Sequence, residues 1–270
     1  MIRGYSLLRH VGQSVLFGAY KDSLPMAVFT AYFDASGDKQ MRVLAVAGFV
    51  ATVTQWKRFD EEWSAILHGE GVTAMHMTDC ASSQREFASW KGQSERRRQF
   101  VDRLCRCVKR RTNKGFASSV VLSDYEALND EFRLRETIGQ PFTLCMLSCL
   151  GGLKKWAHRK KVSPGRLLVY IEQGDQDQGE FIKRADEEGF TVLPLRKDKA
   201  RAFQAGDMAA WKSRIAVQNA TDRPLERIED FRSIVRSLAP IKHIVQNNGA
   251  YDAEALRTLC VRGNVPPRNH

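Results

Sequence analysis

Three acidic residues at distant positions stand in sequence contexts that could support metal chemistry. Asp34 ends a predicted apolar strand, Glu172 ends a second one, and Asp207 lies among apolar residues of a predicted helix. A carboxylate at the end of a buried strand is costly unless a cation accompanies it. If the two strands are neighbours, both carboxylates emerge at one edge of the sheet, where the helix can add the third. The pattern therefore predicts one acidic cluster.

Such a cluster suits a divalent metal ion, because clustered carboxylates repel one another and hard oxygen ligands favour Mg²⁺ or Mn²⁺. Two such ions can activate a water molecule and stabilise the leaving oxygen in phosphodiester hydrolysis. Asp34, Glu172 and Asp207 are accordingly the predicted catalytic and metal-binding residues, and Asp175 could supply a further ligand. The alternative for each acid is a structural role, as a turn cap or as the partner of a lysine.

The residues around two of these acids resemble the motifs of a known family. Residues 34–38 (DASGD) resemble the opening Asp-Glu-Ser-Gly-Asp motif of the domain of unknown function 3800 family, and residues 203–211 (FQAGDMAAW) are similar to its closing acidic helix. The strand that ends at Glu172 matches the middle acidic strand of the family, and the resemblance covers roughly residues 26–217. It implies a ribonuclease-H-like fold, a mixed sheet flanked by helices, with a nuclease-type metal site. Ala35 departs from the motif, because the family usually has a Glu there.

Three further residues are candidates for accessory roles. Ser36 and Asp38 belong to the opening motif, and His76 lies at the end of a third predicted strand. His76 could act as an acid or base near the acidic cluster, or it could be a structural histidine. Ser36 is not predicted to be a hydrolase nucleophile, because no GxSxG elbow surrounds it.

Basic residues outnumber acidic ones strongly enough to predict a polyanionic partner. The net charge of +11 favours nucleic acid first and an anionic membrane surface second. The densest basic run lies between Lys91 and Lys114, in a predicted amphipathic helix with few acids of its own. Arginine forks suit phosphate oxygens and hold a polynucleotide without reading its sequence. The residues predicted to bind nucleic acid are Arg97, Arg103, Arg106, Arg110, Lys199 and Arg201.

These basic segments also have structural interpretations. The run between Lys91 and Lys114 could be a solvated helix face, although such a face would usually carry more acid. A lysine within residues 196–201 could contact the scissile phosphate or balance the carboxylates. The cluster at residues 154–161 ends a predicted helix, where cations favour the helix dipole.

Apolar strands and amphipathic helices alternate along most of the chain. The predicted strands cover residues 28–33, 41–52, 72–77, 116–122, 166–171 and 190–195. The predicted helices cover residues 56–67, with Thr54 as the N-cap, and residues 94–111, 141–156, 177–188 and 203–217. The first two strands form an antiparallel hairpin, and the later alternation implies a mixed sheet covered by helices. The predicted fold class is therefore α/β.

The chain is predicted to form one domain. Residues 1–25 are expected to be a poorly structured N-terminal extension, and residues 26–270 a single ribonuclease-H-like α/β domain with a C-terminal tail that is helical and then irregular. No apolar run approaches the length of a membrane span. The six cysteines lack the spacing of a zinc site or a disulfide framework, so reduced thiols in the cytoplasm are expected.

Three functions are compatible with this pattern. The first is a metal-dependent nuclease or strand-processing enzyme that hydrolyses phosphodiester bonds in DNA or RNA. The second is a non-catalytic nucleic-acid-binding or assembly protein on the same fold, which the departure at Ala35 favours. The third is a protein-interaction module in defence against mobile elements, whose basic surface meets an acidic protein. A homodimer or another protein partner is compatible with each of these functions.

Overall fold

The computed structural model describes residues 29–37, 41–174, 177–221, 238, 241 and 245–268. Residues 1–25, the predicted N-terminal extension, lie outside the described residues. The same is true of Asp38, of Asp175 and of residues 222–237 in the predicted tail. The division of the chain at residue 25 therefore stays a prediction.

A six-stranded mixed sheet forms the centre of the described part of the chain. Its strands are β1 (Phe29–Ser36), β2 (Val43–Thr52), β3 (Lys114–Val121), β4 (Leu167–Glu172), β5 (Thr191–Leu195) and β6 (Val245–Tyr251). Their order across the sheet is β5-β4-β1-β2-β3-β6. The first three strands form an antiparallel meander, whereas β4 is parallel to β1, β5 to β4 and β6 to β3. The α/β class is confirmed, and the arrangement is compatible with a ribonuclease-H-like fold.

Helices cover both faces of this sheet. They are α1 (Val53–Glu70), α2 (Met77–Ser82), α3 (Ser94–Arg111), α4 (Leu122–Glu131), α5 (Leu134–Thr137), α6 (Pro141–Arg159), α7 (Gln178–Glu187), α8 (Ala202–Thr221) and α9 (Ala253–Arg262). Short 3₁₀ turns cover Arg85–Trp90, Pro164–Arg166 and Lys197–Lys199. Among the helices described, none combines the length and the apolar character that crossing a membrane requires.

Side chains of the central strands alternate between two apolar layers, because successive residues of a strand point to opposite faces of the sheet. Ala31 and Phe33 of β1 belong to one layer, together with residues of α4, α6, α7 and α9. Tyr32, which stands between them, belongs to the other layer, with residues of α1, α2, α3 and α8. Asp34 is the next residue on the Tyr32 side, so the acidic end of β1 faces α8.

Three local predictions were wrong. Residues 72–76 form a loop and Met77 begins α2, because the amides of Met75 and Met77 are bonded to side chains of α8 and not to a neighbouring strand. Thr52, not Thr54, caps α1, since its hydroxyl oxygen accepts a hydrogen bond from a first-turn amide at 3.2 Å. The end of the chain, predicted to be irregular, forms β6 beside β3 and then α9.

Candidate active site

Asp34 and Glu172 lie side by side because their strands are parallel neighbours in register. Tyr32 pairs with Tyr170 across these strands, and the two rings stack with 5.1 Å between their centroids and 17° between their planes. Two residues further along each strand, on the same face of the sheet, come Asp34 and Glu172. The structure thus brings the two strand-end carboxylates together at one edge.

Asp207 joins them from α8, which packs closely on β1 and β2. Gly206 makes this approach possible, because a Cβ there would lie 3.1 Å from the Asp34 Cβ and 3.1 Å from the Ala47 carbonyl oxygen. The Asp207 Oδ2 accepts a hydrogen bond from the Met77 amide at 2.6 Å. The third carboxylate is therefore held between α8 and the beginning of α2.

Gln204, one turn before Asp207, attaches the loop between α1 and α2 to the same helix. Its Oε1 accepts hydrogen bonds from the Trp63 indole at 2.8 Å and from the Met75 amide at 2.9 Å. These bonds fix the residues that precede Met77, whose amide binds the Asp207 carboxylate. The segment predicted as a third strand is therefore part of the wall of the site.

Lys197 supplies a positive charge to the cluster. Its Nζ lies 2.8 Å from the Asp34 Oδ2 and 3.1 Å from the Glu172 Oε2. The lysine belongs to the 3₁₀ turn between β5 and α8, so the connection that leads to Asp207 also carries a counter-ion. The Asp34 side chain is only 2% exposed, whereas those of Lys197 and Glu172 are 29% and 31% exposed. The cluster therefore opens to solvent on the Lys197 side.

Burial and mutual repulsion dominate the electrostatics of these carboxylates. Burial raises the pKa of Asp34 well above its usual range, and the charge of Lys197 offsets this only in part. Asp207 and Glu172 raise the pKa of Asp34 further. Burial also raises the pKa of Asp207, against the opposing charges of Lys197 and His76. Burial lowers the pKa of Lys197, but the attraction of Asp34 and Asp207 outweighs it and leaves that pKa raised.

The donor atoms of the cluster fit a divalent metal ion in their chemistry. Carboxylate oxygens are the ligands that Mg²⁺ and Mn²⁺ prefer, and the buried Asp34 Oδ2 receives no hydrogen bond although the Lys197 ammonium lies beside it. Within the part of the chain that is described, no three acidic, histidine or cysteine side chains are arranged as a metal-binding group. The ammonium group of Lys197 instead lies between two of the carboxylates.

Two of the predicted accessory residues belong to the described part of the chain. Ser36 is buried, and its Oγ accepts a hydrogen bond from the Arg214 Nε at 3.1 Å, which links β1 to α8. The His76 ring is 47% exposed, with its Nδ1 3.5 Å from the Asp79 Oδ2. The charge of His76 lowers the pKa of Asp207, so the ring lies within electrostatic reach of the acidic cluster, whereas Ser36 makes a structural contact.

Ala35, the departure from the family motif, points away from the cluster. Its side chain packs against the apolar layer on the opposite face of the sheet, as the alternation along β1 requires. Its amide donates a hydrogen bond to the Asp34 Oδ1 at 2.8 Å. A longer side chain at this position would extend on that opposite face, so the alanine removes no carboxylate from the side that carries Asp34.

Arg97 does not belong to a basic surface, which corrects its prediction as a nucleic-acid contact. The residue is 2% exposed, and its guanidinium donates a hydrogen bond to the Ser83 hydroxyl. The physical reason lies in the helical period, because Arg97 shares the inward stripe of α3 with Phe100, Val101 and Leu104. The spacing of these residues in the sequence was the signal that could have revealed its burial.

The other predicted arginines of α3 line a shallow groove between α3 and α1. The groove has a volume of about 410 Å³ and is lined by Glu62, Ala65, Ile66, Arg103, Arg106 and Arg110. Arg103 is paired with Glu70, and Arg110 is paired with Glu62. Arg106 is exposed. The acids that α3 lacks thus come from α1, and they neutralise part of the predicted basic surface.

Lys199 and Arg201 are exposed and lie close to Lys197 in the sequence. The Lys199 Nζ is 3.7 Å from the Asp198 carboxylate, and an Arg201 guanidinium nitrogen is 3.1 Å from the Asp60 carboxylate. These are surface pairs, which contribute little to stability and exchange readily with solvent ions. Both cations therefore remain suitable for contact with an anionic partner.

A second basic groove, of about 420 Å³, lies on α6. It is lined by Lys154, Lys155, His158 and Arg159. Because α6 covers the face of the sheet opposite to Asp34, this groove is separate from the acidic cluster.

Sequence reasoning missed two contributors to the site. Lys197 was considered as a counter-ion only together with its basic neighbours, since nothing in the sequence distinguished it from Lys199. The Met77 amide was missed because residues 72–77 have the composition of a strand. Gly206 stands directly before Asp207, and a small residue at that position was the signal for close packing of α8 on the sheet.

Comparison with known proteins identifies no family for this chain. The sequence matches no protein-family profile. No curated protein matches it either. The resemblance of residues 34–38 and 203–211 to the domain of unknown function 3800 motifs therefore stays a prediction.

Proposed function

We propose that this protein is a nuclease that hydrolyses phosphodiester bonds of DNA or RNA at the acidic cluster, with Mg²⁺ or Mn²⁺ as its cofactor. One observation carries this proposal: Asp34, Glu172 and Asp207 come from distant parts of the chain and converge around Lys197. Crowding carboxylates in a buried place costs stability. Buried carboxylates with raised pKa values, as at Asp34 and Asp207, are concentrated at functional sites.

The residues of the cluster have different roles in the proposed reaction. Asp34, Glu172 and Asp207 would hold the metal, which supplies activation of water and stabilisation of charge on the phosphate. Lys197 is partly exposed and can contact a phosphate oxygen of the substrate. His76, which is exposed beside α2, can accept or donate a proton.

Exposed cations beside the Lys197 turn, and one on α3, support nucleic acid as the substrate class. Lys199 and Arg201 flank the turn and the helix that carry the site, and Arg106 lies in the groove between α1 and α3. Contacts from such side chains go to phosphate oxygens and hold a strand without reading its bases. The net charge of +11 adds long-range attraction for a polyanion.

The motif resemblance and the orientation of Ala35 favour an enzyme over a binding protein. The acids at the matching positions, Asp34 and Asp207, belong to one cluster. Ala35 faces the opposite layer, so the departure from the motif leaves the proposed metal side unchanged. A cytoplasmic location fits the same proposal, because all six cysteines of the chain are buried and free.

Cleavage of labelled single-stranded and double-stranded DNA and RNA tests the proposal. The purified protein is assayed with Mg²⁺, with Mn²⁺ and with EDTA. We expect metal-dependent cleavage of at least one substrate, and a loss of at least about 100-fold in the variants Asp34→Asn and Asp207→Asn. Retained binding of the substrate by both variants would separate the loss of chemistry from a loss of structure.

The matched control is Asp130→Asn, which makes the same chemical change at an exposed position of α4. This variant is expected to cleave at the wild-type rate. Cleavage that persists in Asp34→Asn, or that EDTA does not abolish, would contradict the proposed site.

A non-catalytic nucleic-acid-binding protein is the second candidate. It is favoured by the ion pairs of Lys197 with Asp34 and Glu172, which bring one positive charge to two carboxylates without a metal. In this case binding weakens steeply with salt, no metal promotes cleavage, and Asp34→Asn leaves the affinity unchanged. Binding without cleavage under all metal conditions would therefore replace the first candidate by the second.

A further inference from the structure

Lys197 has the geometry of a counter-ion that can leave its place. Its Nζ contacts both Asp34 and Glu172, but the residue belongs to a short 3₁₀ turn and its side chain is 29% exposed. The lysine side chain has a flexible four-carbon stem and a strongly hydrated ammonium group. The ammonium group can therefore exchange the carboxylates for water without a movement of β1 or β4.

The carboxylates, in contrast, are fixed by the fold. Asp34 is held by its position in β1, next to Gly206 of α8. Asp207 is held by the Met77 amide at 2.6 Å. Lys197 contacts only two of the three carboxylates, so a divalent cation that contacts all three gains an attraction that the ammonium group does not supply.

We infer that Lys197 is a displaceable occupant of the metal position, which gives way to a divalent cation and then becomes available to the phosphate of the substrate. This inference rests on the proposed function, because it concerns the same cluster. The lysine would offset part of the repulsion between the carboxylates in the metal-free protein. Lys197 is thus a positioning residue in the free protein and a substrate contact in the loaded one.

Competition between the two cations can be measured without nucleic acid. Binding of Mn²⁺ alone to the metal-free protein is followed by isothermal titration calorimetry, for wild type and for Lys197→Met. The methionine keeps an unbranched side chain but removes the competing charge. We expect Lys197→Met to bind Mn²⁺ at least about 10-fold more tightly, because a unit charge a few ångströms from a divalent ion opposes it by at least that factor.

Two further variants control this measurement. Lys183→Met removes the same charge from an exposed position of α7, and its affinity for Mn²⁺ should stay within about twofold of wild type because solvent screens distant charges. Lys197→Arg keeps the charge at the site, and it should not bind Mn²⁺ more tightly than wild type. Melting curves with EDTA verify that each variant is folded, and Lys197→Gln replaces Lys197→Met if the latter is not.

The outcomes separate this inference from the proposed function. Equal affinity of wild type and Lys197→Met for Mn²⁺, or no binding by either, would overturn the inference and make Lys197 a permanent structural partner. If wild type nevertheless cleaves nucleic acid with Mg²⁺, the proposed function stands without it. If Lys197→Met binds Mn²⁺ more tightly than wild type but the protein never cleaves nucleic acid, the inference stands and the proposed nuclease function is rejected.

Discussion

Gly206 of α8 lies so close to Asp34 of β1 that no larger residue fits between them without a shift. A Cβ on Gly206 would be 3.1 Å from the Asp34 Cβ and 3.3 Å from the Asp34 amide nitrogen. Asp207 follows Gly206 directly, so the distance between helix and strand also sets the distance between the two carboxylates. Because Gly206 has no side chain, α8 lies close enough to β1 to bring Asp34 and Asp207 together.

Gly206→Ala is expected to lower the cleavage rate at least about 10-fold. The added Cβ forces α8 to shift away from β1 by a few tenths of an ångström, and this shift displaces Asp207 from its position in the cluster. The control is Gly151→Ala in α6, where an added Cβ meets nothing within 4 Å. The free energy of unfolding of that variant should be about 0.5–1 kcal/mol higher than that of wild type, since alanine stabilises a helix more than glycine does. Urea unfolding and cleavage rates test both; full activity in Gly206→Ala would mean that the site tolerates the shift.

Asp34→Asn should increase the stability of the metal-free protein at pH 8, by about 0.5–2 kcal/mol in the free energy of unfolding, as substitutions that relieve a strained site commonly do. The fold raises the pKa of Asp34 above its ordinary value of 3.8, so the wild-type contribution is fully present below pH 3.8 and is lost as the pH rises through the raised pKa. The advantage of the variant should therefore shrink towards pH 4. Urea unfolding in EDTA from pH 4 to pH 8 measures this trend, and a less stable variant at pH 8 would show that the pair with Lys197 is net favourable.

Glu62→Gln should tighten the binding of nucleic acid about 3-fold to 10-fold at low salt. Glu62 holds Arg110 and also Arg111, the latter at 2.8 Å, and its neutralisation releases both arginines for phosphate contacts. Glu131→Gln, which breaks the pair with Arg257 between α4 and α9, removes the same charge on the other face of the sheet. Fluorescence anisotropy over a series of salt concentrations measures the affinity of both variants for nucleic acid. Equal effects of the two substitutions would mean that the net charge of the protein, and not the release of arginines, determines the affinity.

The native cysteines should resist thiol reagents. Burial raises the pKa of Cys80 and of Cys105 to about 12, and all six cysteines are buried and free. At pH 8 we expect no rapid reaction with Ellman's reagent in the folded protein and six reactive thiols in urea. Because unfolded thiols ionise near pH 9.0, this contribution to stability is present below that pH and is lost as the pH rises towards 12. One fast thiol in the native state would disprove the expectation.

Strong apolar patterns made much of the sheet and of the acidic cluster predictable. The strands that end near Asp34 and Glu172, and the helix around Asp207, follow from runs of apolar residues with a clear period. Their convergence followed from one further assumption, that β1 and β4 are neighbours, and the register of Tyr32 with Tyr170 bears this out.

Features that depend on distant partners could not be predicted in this way. Residues 72–77 have the composition of a strand, but the amides of Met75 and Met77 are bonded to Gln204 and Asp207, which no local pattern shows. The polar strand β6 (Val245–Tyr251) exists because β3 offers it a parallel edge. The pairing of the α3 arginines with acids could not be predicted for the same reason, since their partners Glu62 and Glu70 belong to α1.

The wide separation of the site residues along the chain also has a consequence for protein synthesis. Asp34 is synthesised in the hairpin of β1 and β2, whereas Lys197 and Asp207 follow only after β1 to β5 have been made. No nascent chain that ends before α8 possesses the complete set of acids. Under the proposed function, hydrolytic capacity therefore arises only after α8 has been translated.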